Sequence, residues 1–123
     1  MFQPWKSDNG AVLPWEYLAA EKATYQVGQL LALDASTGYL EPIAADLVTT
    51  PPYLCMADMT IETAGDPLPV TRISRDTIYE TTLSAAASGA AVGTKLQVAS
   101  GGLQASKPAS GSGTFEVVSL EGT

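Results

Sequence analysis

Carboxylates give this chain its widest chemical reach. Asp58, Glu62 and Asp66 recur at four-residue spacing, which on a helix would line three acids along one face and offer oxygens to a hard cation. Thr60, Thr63, Gly65 and Pro67 oppose a helix there, and the spacing is not that of an EF-hand loop. The cluster reads as a solvated loop, with no metal. A second polar concentration, Arg72, Arg75, Asp76 and Glu80, reads as ion pairing, local or between molecules. Cys55 stands in the apolar run Tyr53-Leu54-Cys55-Met56, where a thiol behaves as a small hydrophobe. The chain contains no histidine, so neither a Ser-His-Asp nor a Cys-His nucleophile can be assembled, and the imidazole ligand and pH switch are missing. One cysteine makes no internal disulfide and no thiolate zinc site. Gly101-Gly102 and Gly111-Ser112-Gly113 lack the Lys-Ser/Thr of a phosphate loop and read as turns. No catalytic, cofactor-binding or metal residue is assigned, no cofactor is expected, and the chain reads as a non-enzyme.

Bulk properties narrow the partners. The 123 residues suit one domain. Six basic residues face thirteen acidic ones, a net charge of -7. With no run of neighbouring Lys or Arg, no nucleic-acid footprint is expected. No stretch approaches the roughly 18 apolar residues of a membrane span, and the first twenty lack the basic and apolar regions of a secretory signal. Charged residues are only 15% of the chain, against about 25% in ordinary soluble domains.

The elements that must position any site are strands. Residues 1–24 read as an extended N-terminal arm, broken by Pro4, Asn9-Gly10 and Pro14 and weighted with Trp5, Trp15, Tyr17 and Leu18. Large anchors on a tail point to docking, on the chain's own β-domain or on a neighbour, so these four are the candidate partner-binding residues. Residues 25–123 read as a single β-domain. Tyr25, Val27, Leu31 and Leu33 alternate, predicting a strand buried on both sides at Leu30. Asp34–Gly38 predicts a hairpin turn into Tyr39–Ile43, where Pro42 marks an edge. Further strands are expected at Tyr53–Ala57, Leu68–Ile73, Thr77–Leu83, Lys95–Ala99 and Thr114–Leu120, with Leu103–Ala105 returning from a Ser100–Gly102 turn and loops at Ser84–Ala91 and Ser106–Gly113. The expected core is Val27, Leu31, Leu33, Leu54, Val70, Ile73, Ile78, Leu83, Leu96, Val98, Phe115 and Val117. The class is all-β, a small β-barrel or β-sandwich of short antiparallel strands and hairpins.

One pattern recurs. Val27-Gly28-x-x-Leu31-x-Leu33, a turn and Gly38-x-Leu40 are echoed about 65 residues later by Val92-Gly93-x-x-Leu96-x-Val98, a turn and Gly102-Leu103. Either this is the common habit of β-proteins or two hairpins are pseudo-symmetrically placed.

In style the chain resembles the head-decoration, or capsid cement, proteins of tailed bacteriophages. The likeness rests on Pro14-Trp15-Glu16-Tyr17-Leu18, on Tyr25-x-Val27-Gly28-x-Leu30-Leu31-x-Leu33 with Thr37-Gly38-x-Leu40-x-Pro42, and on Pro52-Tyr53-Leu54. It extends through Val70-x-Arg72-Ile73, Ile78-Tyr79-Glu80-Thr81, Val92-Gly93-x-Lys95-Leu96 and Gly113-x-Phe115-Glu116-Val117-Val118. The resemblance implies a non-enzymatic homotrimer, assembled in the host cytoplasm onto the outer capsid surface of the virion, where it clamps neighbouring major capsid proteins. Trp5, Trp15, Tyr17 and Leu18 would be the anchors of the arm. Two rival readings stand beside it: a receptor- or glycan-binding β-module of a fibre or adhesin, with Tyr39, Tyr53 and Tyr79 as its platform, and an accessory β-domain of an enzyme.

Overall fold

The computed structural model describes residues 1–7, 15–45, 51–74, 77–84, 91–108, 113 and 115–119, with the backbone alone for residues 5–7. It is all-β, with no helix among the described residues. Among the described residues, twelve short strands form antiparallel sheets that do not close into a barrel. The largest sheet has the order β2 (Glu16–Ala19), β8 (Pro67–Arg72), β6 (Tyr53–Cys55), β4 (Leu30–Leu33), β5 (Leu40–Pro42). A parallel bridge from Ala20 to Leu40 draws its two ends together. β3 (Ala23–Tyr25) pairs with β7 (Met59–Ile61), β1 (Gln3–Ser7) with β9 (Thr77–Glu80), and β10 (Lys95–Val98) lies between β11 (Ala105–Ser106) and β12 (Phe115–Glu116).

Adjacent residues on a strand point to opposite faces, and both faces of the large sheet are buried at its centre. Leu30 and Leu54 enter one apolar cluster with Phe2, Ile43, Leu96, Val98, Ala105 and Val117. Their neighbours Leu31 and Cys55 enter the other, with Ala20, Tyr25, Leu40, Ile61, Leu68 and Val70. The burial expected on both sides of Leu30 is present. Val27 and Leu33, expected in the core, are 40% and 44% exposed. The strand read through Tyr25–Leu33 is in fact two, because Gly28 turns the chain at φ +83° and sends β3 and β4 to different sheets.

The hairpin at Asp34 forms as read. Asp34 Oδ1 accepts from both the N–H and the hydroxyl of Ser36 at 2.7 Å, which holds its carboxyl below the usual range. Pro42 lies on β5, at the end of the sheet order. The last expected strand is cut to Phe115–Glu116. Beyond it, Val117 exchanges bonds with Gly93 and Thr94. The alanine-rich stretch 85–90, Arg75, Asp76, Gly111-Ser112 and the turn signals at Asn9-Gly10 and Pro14 lie outside the described residues.

The repeated sequence pattern is a repeated structure. Leu30 faces Leu54 and Leu31 faces Tyr53, as Lys95 faces Glu116 and Leu96 faces Phe115. Ala32 faces Glu41 and Leu33 faces Leu40, as Gln97 faces Ser106 and Val98 faces Ala105. The preceding turns match bond for bond. Gln29 N–H donates to Gln26 O and Thr94 N–H to Ala91 O. Gln26 N–H donates to Gln29 Oε1 and Ala91 N–H to Thr94 Oγ1. The Ala20–Leu40 bridge is matched by one from Leu83 to Ala105: the small and large residues have exchanged places, keeping the pair's volume. Each half therefore carries an equivalent set (Ala20, Leu31, Leu40, Cys55; Leu83, Leu96, Ala105, Val117) at its own cluster.

Residues 1–24, read as an arm, are extended where described, but they pair with the chain's own sheets as β1, β2 and the start of β3. The boundary drawn after residue 24 cuts β3. Phe2 is 2% and Ala20 0% exposed, so apolar burial draws this segment into the domain.

Two expectations follow. Gly102 sits at φ +77°, its carbonyl accepts from Leu30 N–H at 2.7 Å, and a Cβ there would overlap the Leu30 backbone. Gly102→Ala should cost about 2 kcal/mol or more, and Gly38→Ala, at φ +74° in open space, about 1 kcal/mol, as read by urea unfolding. The second expectation concerns Tyr25, which is 1% exposed and whose hydroxyl donates to Glu21 O at 2.8 Å. Burial, then the Glu21 carboxylate, pushes its pKa up to about 12. Between about pH 10 and pH 12 the unfolded chain loses a proton the folded chain keeps, so stability falls as pH rises through that window. Tyr25→Phe should flatten that fall relative to the parent protein in denaturant titrations.

Candidate functional site

Among the described residues, the edge strand β2 and the residue before it carry the most exposed aromatic surface. Its register sets Glu16 opposite Val70, Tyr17 opposite Pro69 and Leu18 opposite Leu68. Leu18 packs on the cluster around Leu31, and alternation turns Tyr17, with Trp15 just before the strand, the other way. Trp15 is 55% and Tyr17 67% exposed. The two rings project from a strand whose partner, β8, is buried from Leu68 to Thr71, so the pair stands on a fixed base.

On the opposite face, the one Glu16 shares with Leu18 and Val70, lies a polar trio. Arg72 Nε donates to Glu16 Oε1 at 3.1 Å, and the guanidinium sits 5.8 Å from the centroid of the Tyr53 ring. The Glu16 carboxylate raises the pKa of Arg72 above its already high value. The other Glu16 oxygen, Oε2, is shielded from solvent and has no hydrogen-bond partner among the described residues. The edge thus offers two exposed rings on one face, which suit docking of a protein segment or a sugar ring.

Of the four anchors read from the sequence, Trp15 and Tyr17 are brought together on this edge. Leu18 faces the chain's own core. The backbone of Trp5 lies on β1 at the register shift between Pro4 and Lys6, and its side chain is outside the described residues. Tyr39, Tyr53 and Tyr79, the expected platform of a glycan module, are half-buried. Tyr79 meets Phe115 edge-on, with centroids 6.2 Å apart, and its hydroxyl accepts from Ser74 N–H at 3.1 Å.

The acidic cluster has a structural use: Asp58 Oδ1 accepts from Val27 N–H at 2.8 Å, bracing the Gly28 turn. Among the described residues no three His, Cys, Asp or Glu side chains are grouped to hold a metal. Cys55 is 0% exposed and its thiol donates to Ala57 O at 3.1 Å. Burial pushes its pKa up, away from the reactive thiolate. The Arg72–Glu16–Tyr53 trio was not legible as a unit, since Glu16 and Arg72 meet only through the β2–β8 register. Alternating charge on two paired strands is the signal that could have found it.

The repeat exposes a contrast between the halves. Leu30 and Leu54 are buried, while their counterparts Lys95 and Glu116 are exposed and joined at 3.4 Å. The outer face of the second half is a polar end to the stack.

Compared with protein-family models, curated proteins and solved structures, the chain matches none of them.

Giving the second half the apolar pair of the first should remove that polar end. Lys95→Leu with Glu116→Leu is expected to leave the fold intact and to promote concentration-dependent association, seen in sedimentation velocity.

Proposed function

We propose that this chain is a structural protein of a tailed-phage head, bound to the outer surface of the shell as a homotrimer and clamping neighbouring major capsid proteins. The observation that carries this reading is the exposed Trp15–Tyr17 pair at β2. Large rings on a rigid edge bury much area at little entropic cost and so make efficient anchors. The all-β fold and the resemblance set out above support the same reading. The mechanism is linkage: a protein that binds only the assembled shell stabilises it by mass action against heat and internal pressure.

Tyr17 lies on a strand of the domain's largest sheet and Trp15 immediately precedes it, and an exposed aromatic pair on such a sheet is also what a glycan-binding module presents. That observation keeps the second reading in view. The two readings part at one experiment. Purified protein is mixed with phage heads assembled without it and, separately, with an immobilised glycan panel. Deletion of the first twenty residues is unsuitable, since it would remove Phe2 and Ala20 from the two clusters. Trp15→Ala with Tyr17→Ala is the sound variant. It should weaken co-sedimentation with heads at least tenfold, about 1.4 kcal/mol, while moving folding stability by less than about 0.5 kcal/mol. Unchanged affinity for heads overturns the reading, and glycan retention lost in the same variant supports the second.

A further inference from the structure

Among the described residues, β1 and the two residues before it make their contacts far along the chain. Gln3, Pro4, Lys6 and Ser7 pair with Glu80, Tyr79, Ile78 and Thr77. Phe2 N–H donates to Gly28 O at 2.8 Å, the Phe2 ring stacks on Phe115 with centroids 5.5 Å apart, and the Met1 ammonium donates to Leu103 O. None of these partners lies on β2, the strand that follows β1 in sequence. In the repeat, β1 beside β9 takes the place that β8 takes beside β2. But β8 is flanked on its other side by β6, whereas among the described residues β1 pairs with β9 alone.

We propose that the groove beside β9 is a strand-acceptor site whose ligand is the first strand of a second copy of this chain. Copies exchange β1, and each Phe2 enters the neighbour's socket of Phe115, Leu30 and Leu54. The occupant is a second copy because the seat is cut for this segment. A Cβ at Gly28 would overlap Met1 Cγ and stand 2.9 Å from Phe2 O, so a glycine there admits the Met1–Phe2 backbone closely. Every bond that holds β1 is the same within one chain or between two, so exchange forfeits none of them. The balance is set by the effective concentration that the connecting residues give a chain's own strand, against the concentration of neighbouring copies. Crowding copies on a shared surface favours exchange. The proposal does not rest on the phage-head reading and is tested on the free protein.

The test uses two full-length chains, both carrying Cys55→Ala, one with Gln3→Cys and the other with Glu80→Cys. These positions face each other across the β1–β9 ladder, and neither chain alone can form the bond internally. After mixing at high concentration and mild oxidation, a heterodimer linked Gln3→Cys to Glu80→Cys is expected on non-reducing gels. It should exceed the dimer from either variant oxidised by itself. If either variant is misfolded by circular dichroism, Ser7→Cys and Thr77→Cys, the facing pair at the other end of the ladder, replace them. A mixture that yields no heterodimer above those controls, from folded chains, overturns the proposal. Its failure would leave the head-binding reading standing, since co-sedimentation does not depend on it.

Discussion

Two thin apolar layers share one sheet, and the rest of the molecule depends on that sharing. At the centre of the large sheet Leu30 and Leu31, and again Leu54 and Cys55, divide between the two clusters. Neither layer could exclude water alone in so small a chain. The halves are locked through backbone as well as side chains: Leu30 N–H donates to Gly102 O, and Gly101 N–H donates to Ile43 O at 2.8 Å. Such close approach tolerates no Cβ at Gly102. The aromatic edge at Trp15 and Tyr17 is positioned at the end of this construction, through the ladder from β2 to β8 and on to β6 and β4.

The duplication explains the unequal surfaces. One motif is used twice, but the first copy presents leucines where the second presents Lys95 and Glu116. The first copy's back can therefore be buried by the second, and the second copy's back faces water. A head-to-tail contact that repeated without end would build a filament, and the charged pair stops it after one step. The same economy appears in the swapped Ala20–Leu40 and Leu83–Ala105 pairs, where equal volume is reached by opposite choices.

Fold class, the Asp34 hairpin, the edge at Pro42 and the repeat were legible because each depends on local pattern: alternation, a turn residue with a free side-chain oxygen, a missing N–H. What was not legible depends on register. Tyr25 and Val27 continue the alternation of Leu31, yet Gly28 breaks the strand, and only the approach of Met1 and Phe2 shows why a glycine is needed there. Phe2 lacks any flanking pattern and reads as tail, though it is among the most buried side chains. Of the candidate anchors, Tyr17 and Leu18 are neighbours with equal claims in sequence. Pairing with β8 decides which of them faces the core.

The β1–β9 ladder also bears on the order in which the molecule can be made. A ribosome releases Gln3 long before Glu80, so β1 waits for its partner while the strands between them are made. The first half, with β2 through β8 contiguous, can assemble while β1 is still unpaired, and the Phe2 socket is complete only once Phe115 has emerged. Closure of the second layer is thus a late, long-range event in the life of each new chain, which passes through a period with β1 unpaired.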